Sequence, residues 1–91
     1  MPRADYTTPP NELERLGAAV RTLRKSRDLK QIEVATNAGM TESQISDIEN
    51  ARNNPGWLLI TRLVVEGLGY ELRDLVNAYE ETGGEGSTES R

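Results

Sequence analysis

The stretch that decides the fold is Gln31-Ile32-Glu33-Val34-Ala35-Thr36-Asn37-Ala38-Gly39-Met40-Thr41-Glu42-Ser43-Gln44-Ile45-Ser46-Asp47-Ile48-Glu49-Asn50. Val34, Ala35 and Ala38 lie on one helical arc, and Ile45 and Ile48 on a second, with Gly39 between them. The first run reads as a short helix over 31–38. Gly39 then ends it by taking the left-handed backbone conformation at no steric cost. The second run opens on Thr41, an N-cap residue, with Gln44 three positions on to complete a Thr-x-x-Gln capping box, and it ends near Asn50.

Outward from this pair, helical signals continue on both sides. Pro10 and Asn11 announce a first helix over about 12–27, with Asn11 as its N-cap and Glu14 in the capping-box position. Leu13, Leu16, Val20 and Leu23 recur in it at three- and four-residue spacing. Asn54-Pro55 reads as a cap followed by a first-turn proline, opening a fourth helix that runs through about Glu66. It buries Leu58 or Leu59 with Leu63, and Gly67 and Gly69 close it. A fifth helix over about 71–81 presents Leu72, Leu75, Val76 and Tyr79 as an apolar stripe. Strand signals are weak, with no Phe and little alternation, so the fold class is all-α with five helices. Residues 1–10 hold three of the four prolines, and 82–91 are polar and glycine-rich. Both read as flexible arms, the second a disordered acidic tail, around a folded unit at 11–81.

The 91 residues suit one small domain with a single core, not a cofactor lobe plus a substrate lobe. The chain contains no Cys and no His, which removes disulfides, thiolate or imidazole metal sites and histidine acid/base chemistry. Glu42 with Asp47, and Glu80 with Glu81, are carboxylate pairs without companions that suggest a pocket, so an enzyme is the poorest reading and no cofactor or metal is expected. The longest apolar run, Trp57-Leu58-Leu59-Ile60, is too short for a membrane span or a signal peptide, and a cytoplasmic protein is expected. Net charge is −4, but residues 79–91 carry four acids against one base, while 15–30 carry six bases against one acid. The acidity thus sits mostly in the tail and the basicity along the first helix.

The two central helices and their glycine turn resemble the Cro and phage-repressor-like helix-turn-helix family. The resemblance is carried by Leu23-Arg24, Gln31 before Val34-Ala35, Gly39-Met40-Thr41, Ile45-Ser46-Asp47-Ile48-Glu49-Asn50, Pro55, and Gly67-Leu68-Gly69 leading to Leu72-Arg73-Asp74-Leu75. It spans about 16–76 and implies a five-helix lambda-repressor-like domain. In that arrangement Ala35 must be small because the two helices cross there.

What the resemblance implies about function is a sequence-specific regulator of double-stranded DNA, with the helix from 41 to 50 in the major groove. With Ile45 and Ile48 inward, Glu42, Ser43, Ser46 and Asp47 face outward and Gln44 lies on the flank. These five are the candidate base readers. Gln31, Lys30, Thr41, Asn50 and Arg52 are the candidate phosphate contacts, with Arg21, Lys25 and Arg27 as further nearby cations. Arg24 and Glu49 are expected to form a structural ion pair between the first and third helices.

Three positions depart from the family pattern. Lys30 stands where a Ser or Thr cap is usual, at a cost of about 1 kcal/mol. Ala51 replaces a glycine, so that residue is strained in a left-handed conformation or the helix ends differently. Glu42 and Asp47 place carboxylates on the face that meets DNA, where a carboxylate can accept from cytosine N4 but weakens nonspecific attraction.

A single reading helix covers few base pairs, so a homodimer on a palindromic operator is expected, joined through Leu72, Leu75, Val76 and Tyr79. Small proteins of this kind include phage repressors, antitoxins that repress their own operons, and restriction-modification controllers. Glu49-Asn50-Ala51-Arg52-Asn53-Asn54 is reminiscent of the controllers. The competing reading is a protein-binding module whose exposed Ile32 or acidic tail engages a toxin or RNA polymerase.

Overall fold

A computed structural model describes residues 11–82, all of which lie in helices or their connections. The expected arms at 1–10 and 83–91 lie outside the described residues. The elements are α1 (Asn11–Ser26), α2 (Gln31–Ala38), α3 (Glu42–Glu49), α4 (Trp57–Thr61) running on into a π-helical segment (Arg62–Leu68), and α5 (Leu72–Thr82). The architecture is all-α with five helices, and among the described residues there is no strand.

Each chain reversal is closed by one residue at positive φ: Asp28, Gly39, Ala51 and Gly69. At three of them the closing bonds form the same two-bond motif, in which the next N–H reaches back over five residues. Leu29 N–H donates to the Arg24 carbonyl at 3.1 Å, Met40 N–H to Ala35 at 2.8 Å, and Arg52 N–H to Asp47 at 2.8 Å. Ala51, at φ 57, takes the strained left-handed option of the two left open by its sequence. Asp28, at φ 59, shares this conformation without any glycine to announce it. Its short polar side chain makes it one of the better-tolerated residues there.

The central motif packs as its spacing dictates. Val34, Ala35 and Ala38 of α2 and Ile45 and Ile48 of α3 are buried, and with Ala19, Val20 and Leu23 of α1 they meet Leu63, Val64 and Leu68 in one core. Thr41 caps α3 with the complete box: Gln44 N–H donates to Thr41 Oγ1 at 3.1 Å, and Thr41 N–H to Gln44 Oε1 at 2.9 Å. Lys30 cannot accept in this way, yet Glu33 reaches back to its N–H at 2.7 Å, so half a capping box offsets part of the missing cap.

Several boundaries differ from the sequence reading. The fourth helix begins at Trp57, not at Asn54-Pro55, and Gly56 is its N-cap. The residue before a proline is pushed to extended backbone, and the run of core positions starts only at Ile60. Ile60 and Leu63 are buried and Leu59 half-buried, while Leu58 is 78% exposed. Gly67 does not close this helix. It sits inside the π-helical segment, where a Cβ would stand 2.9 Å from Val34 Cγ1 and 3.1 Å from the Val34 carbonyl, and Gly69 makes the turn. Thr82, assigned to the tail, ends α5 with its hydroxyl donating to the Tyr79 carbonyl at 2.7 Å. Asn11 already belongs to α1 instead of preceding it, and α1 stops at Ser26 because Asp28 reverses the chain.

Candidate nucleic-acid interface

α3 is fixed to the rest of the fold at its C-terminal end. Glu49 has a side chain with no exposed surface, and it sits beneath α1. Arg24 grips it bidentately, Nε to Oε2 at 2.6 Å and Nη2 to Oε1 at 3.0 Å. Gln31 Nε2 donates to Oε1 at 3.0 Å and Arg21 Nε at 3.3 Å. Burial by itself would raise the Glu49 carboxyl, but the hydrogen bonds from Arg24, Gln31 and Arg21, with the Arg24 charge, outweigh it and hold the group below the ordinary carboxylate range. Arg24 is raised in turn, chiefly by the hydrogen bond to Glu49. Arg24 Nη1 also donates to the Leu29 carbonyl at 2.8 Å, so the same guanidinium ties down the α1–α2 turn.

Gly17 completes the attachment. A Cβ there would lie 2.5 Å from the Glu49 carbonyl oxygen and 2.6 Å from that of Ile48. The α1 backbone therefore rests directly on the last turn of α3, which no side chain at position 17 would permit. Gly17 is a positioning residue that the apolar spacing does not reveal, since glycine leaves no periodic signal.

With its inner face locked, α3 presents Thr41, Glu42, Ser43 and Gln44 exposed, and Ser46 and Asp47 half-exposed. Glu42, Ser43, Ser46 and Asp47 line one shallow recess with Gln31 and Arg52. Thus four of the five candidate base readers and two of the phosphate candidates share a surface. The other candidates are differently employed. Gln44 and Thr41 commit their side chains to the α3 cap. Asn50 accepts from Arg21 Nη2 at 3.2 Å and donates to the Ser46 carbonyl at 2.9 Å, which orients it at the end of α3. Lys30 is exposed at the start of α2. Asp47 and Arg52 pair with each other, Oδ1 to Nη1 at 3.5 Å.

Of the further cations, Lys25 is exposed, whereas Arg27 lies 4.0 Å over the Tyr70 ring and donates to the Gly69 carbonyl at 3.0 Å. Arg27 thereby fastens the end of the π-helical segment to the turn that follows α1. On α5, Leu75 is in the core, Leu72 and Tyr79 are half-buried, and Val76 is 55% exposed. Tyr79 carries Arg15 over its ring at 4.3 Å and accepts from Arg15 Nη2 through its carbonyl at 3.1 Å. Among the described residues no helix is long and apolar enough to cross a membrane, and no group of His, Cys, Asp and Glu could hold a metal ion.

Comparison with known proteins agrees with this geometry. The chain is 38% identical over 52 residues to the ImmF control region 10 kDa protein of Bacillus phage phi105, a match covering 57% of this chain and 58% of that protein. The chain thus spans less than two thirds of that relative's length. Its fold is similar to the restriction-modification controller protein C.AhdI from Aeromonas hydrophila, with TM-score 0.68 and 27% identity over 72% of this chain and 98% of that one. It is also similar to the clp gene regulator ClgR from C. glutamicum, with TM-score 0.73 over 81% of this chain and 95% of that one; at 23% identity this likeness concerns the fold. The helix-turn-helix domain family matches residues 15–85, and with the two-helix motif, its cap and its locked third helix in place, the chain belongs to that family.

Proposed function

We propose that this chain is a sequence-specific, double-stranded-DNA-binding transcriptional regulator, a repressor or autoregulator that binds a palindromic operator as a homodimer. The observation that carries this reading is the asymmetry of α3. Its inner face is immobilised by Glu49, Ile45 and Ile48, while its outer face stays open and polar over a recess shared with α2 and Arg52. An exposed helix of this kind fits the major groove.

Glu42, Ser43 and Ser46 read base edges, with Gln44 on the flank. The start of α2 at Lys30 and Gln31, Thr41 at the start of α3, and Asn50 beyond its end meet the flanking phosphates. Asp47 and Arg52, joined in one ion pair, act there as a unit. Two copies associate through α5, with Val76 offering the exposed contact and Leu72 and Tyr79 the half-buried ones, while Leu75, expected in the same stripe, is taken up by the core. The printed names of the phage control-region protein and the controller fit a regulatory role, and nothing in the sequence favours catalysis.

The test is selection of DNA from a random library, followed by binding across a salt series. A recovered palindrome, a log–log salt slope of several units and weakened binding in Ser43→Ala support the reading. No enriched sequence, together with no binding at low salt, removes it.

A second reading has one observation in its favour. Ile32 is 48% exposed on α2, beside a recess lined by Leu29, Glu33, Thr36 and Asn37, as a protein-docking face would be. Ile32→Ser would leave DNA affinity unchanged and reduce regulation only where such a partner operates.

A further inference from the structure

We infer that Arg52 reads guanine at this interface, and that Asp47 positions Arg52 instead of reading a base itself. The inference rests on the operator-binding reading above and assigns the base class to one side chain.

The backbone places Arg52 for this role. Ala51, in the left-handed region at φ 57, turns the chain back at the end of α3, and Arg52 N–H is bonded to the Asp47 carbonyl at 2.8 Å. Arg52 is therefore folded toward α3 and not outward with the loop that follows. Its guanidinium meets the carboxylate of the same residue, Nη1 to Oδ1 at 3.5 Å. Position 47 thus fixes Arg52 twice, once through the main chain and once through the side chain. In closing motifs of this kind an apolar contact commonly joins the residues at the two ends of the long bond. Here an ion pair takes that place.

Charge and hydrogen-bond chemistry then distinguish the two partners. Gln31, Glu42, Ser43, Ser46, Asp47 and Arg52 line the recess, and Arg52 is the only cation of the six. Without it, two carboxylates would face the DNA. With it, the charge of Asp47 is offset by a guanidinium 3.5 Å away, and its Oδ1 faces Arg52 instead of a base. Guanidinium is a planar fork of five donors. With Nη1 turned to Asp47, it still has N–H groups to offer in parallel to O6 and N7 of guanine. The Arg52 side chain is 65% exposed and that of Asp47 33%, so the donor is open to a ligand while the carboxylate is partly covered. A phosphate also accepts the fork, so the argument for a base rests on position: the restraint holds Arg52 in the recess lined by Glu42, Ser43 and Ser46, on the face that carries the base-reading candidates.

The experiment compares wild type with Arg52→Ala, Arg52→Lys, Asp47→Ala and the Asp47→Ala/Arg52→Ala double variant. Each is titrated against the selected operator and against operators with each G·C pair replaced by A·T. Arg52→Ala should erase the preference for G·C at one position per half-site, a loss of about 5- to 150-fold in discrimination, and leave the other positions unchanged. Arg52→Lys should restore it only in part, because an ammonium reaches O6 and N7 without the rigid planar fork. Asp47→Ala should weaken the same preference at the same position, with the double variant no worse than Arg52→Ala.

Two results overturn the inference while leaving operator binding intact. In one, Arg52→Ala weakens all sequences by the same factor, lowers the salt slope by about one and is rescued by lysine, which makes Arg52 a phosphate contact. In the other, the G·C preference survives Arg52→Ala and disappears in Asp47→Ala, which makes Asp47 the reader. A wild-type protein that enriches no sequence removes the operator-binding reading, and the inference with it.

Discussion

Glu49 is a carboxylate with no exposed side-chain surface, held ionised by four donor atoms from Arg21, Arg24 and Gln31. Truncating it strands Arg24, itself only 13% exposed, as an unpaired cation, a change that costs about 3–5 kcal/mol. At about 4–8 °C per kcal/mol in a domain of this size, Glu49→Ala should lower Tm by more than ten degrees. Asp47→Ala, which breaks an exposed pair, should cost about 1 kcal/mol or less. Equal small shifts in thermal melts of the two variants would remove the structural role of the Arg24–Glu49 pair. Because the folded-state pKa of Glu49 is depressed, its stabilisation is present above the ordinary glutamate value of 4.5 and is lost as pH falls through the lower folded value. Glu49→Gln should therefore flatten the acid limb of a Tm-against-pH curve below about pH 4 and leave its neutral-to-alkaline shape unchanged. Ala51 offers the opposite experiment. A left-handed alanine costs about 1–2 kcal/mol, part of which glycine would return to the unfolded chain as entropy. Ala51→Gly should raise stability by about 0.5–1 kcal/mol in a denaturant titration, and a loss would show that this turn carries no strain.

At the scale of elements, the tightest of the described glycine contacts is that of α1 on α3 at Gly17. A methyl group 2.5 Å from a backbone carbonyl oxygen cannot be absorbed by a rotamer change, so α3 itself must move. Gly17→Ala is expected to cost about 1–3 kcal/mol and, by tilting α3, to weaken operator binding even at temperatures where the protein is fully folded. Gly56→Ala is the control, because nothing lies within 4 Å of its added Cβ. If both variants melt and bind alike, the Gly17 contact does not set the pose of α3. Here sequence reading had a specific blind spot. Helical spacing exposes the residues that fill a core, such as Val34, Ile45 and Ile48, but not the glycines at which backbones touch. Gly67, read as a helix stop, is the second instance.

The whole molecule carries net charge −4, which taken alone argues against a polyanionic partner. The charge is unevenly spent. Arg24 and Arg21 serve Glu49, Arg27 stacks on Tyr70, Arg15 on Tyr79, and Arg52 pairs with Asp47. In the dimeric operator-binding reading proposed above, affinity built on so few uncommitted cations comes from specific contacts and from two copies acting together. Val76→Glu places a charge on the exposed part of α5 without touching buried Leu75 or Ala78. It should yield a folded monomer by sedimentation and weaken operator binding to that of a single half-site. A Val76→Glu protein that still sediments as a dimer would move the interface away from α5.

The five-helix order, the α3 capping box and the Arg24–Glu49 pair are legible in the sequence. The first two rest on local rules: a cap and its box lie within four residues, and a helix repeats every three or four. The pair rested on resemblance to a known family. What only the tertiary structure decided involves residues far apart in the chain or conformations that have no residue-type signature. Gly17 meets Glu49 across 32 positions, Arg21 and Gln31 join Glu49 from two different helices, and Asp28 and Ala51 are forced to positive φ by the turns they close. Asp47 and Arg52 were legible as two separate contacts, and they became one unit only when the chain folded back between them. Local periodicity records which side of a helix faces inward; the atoms it meets there are set by packing.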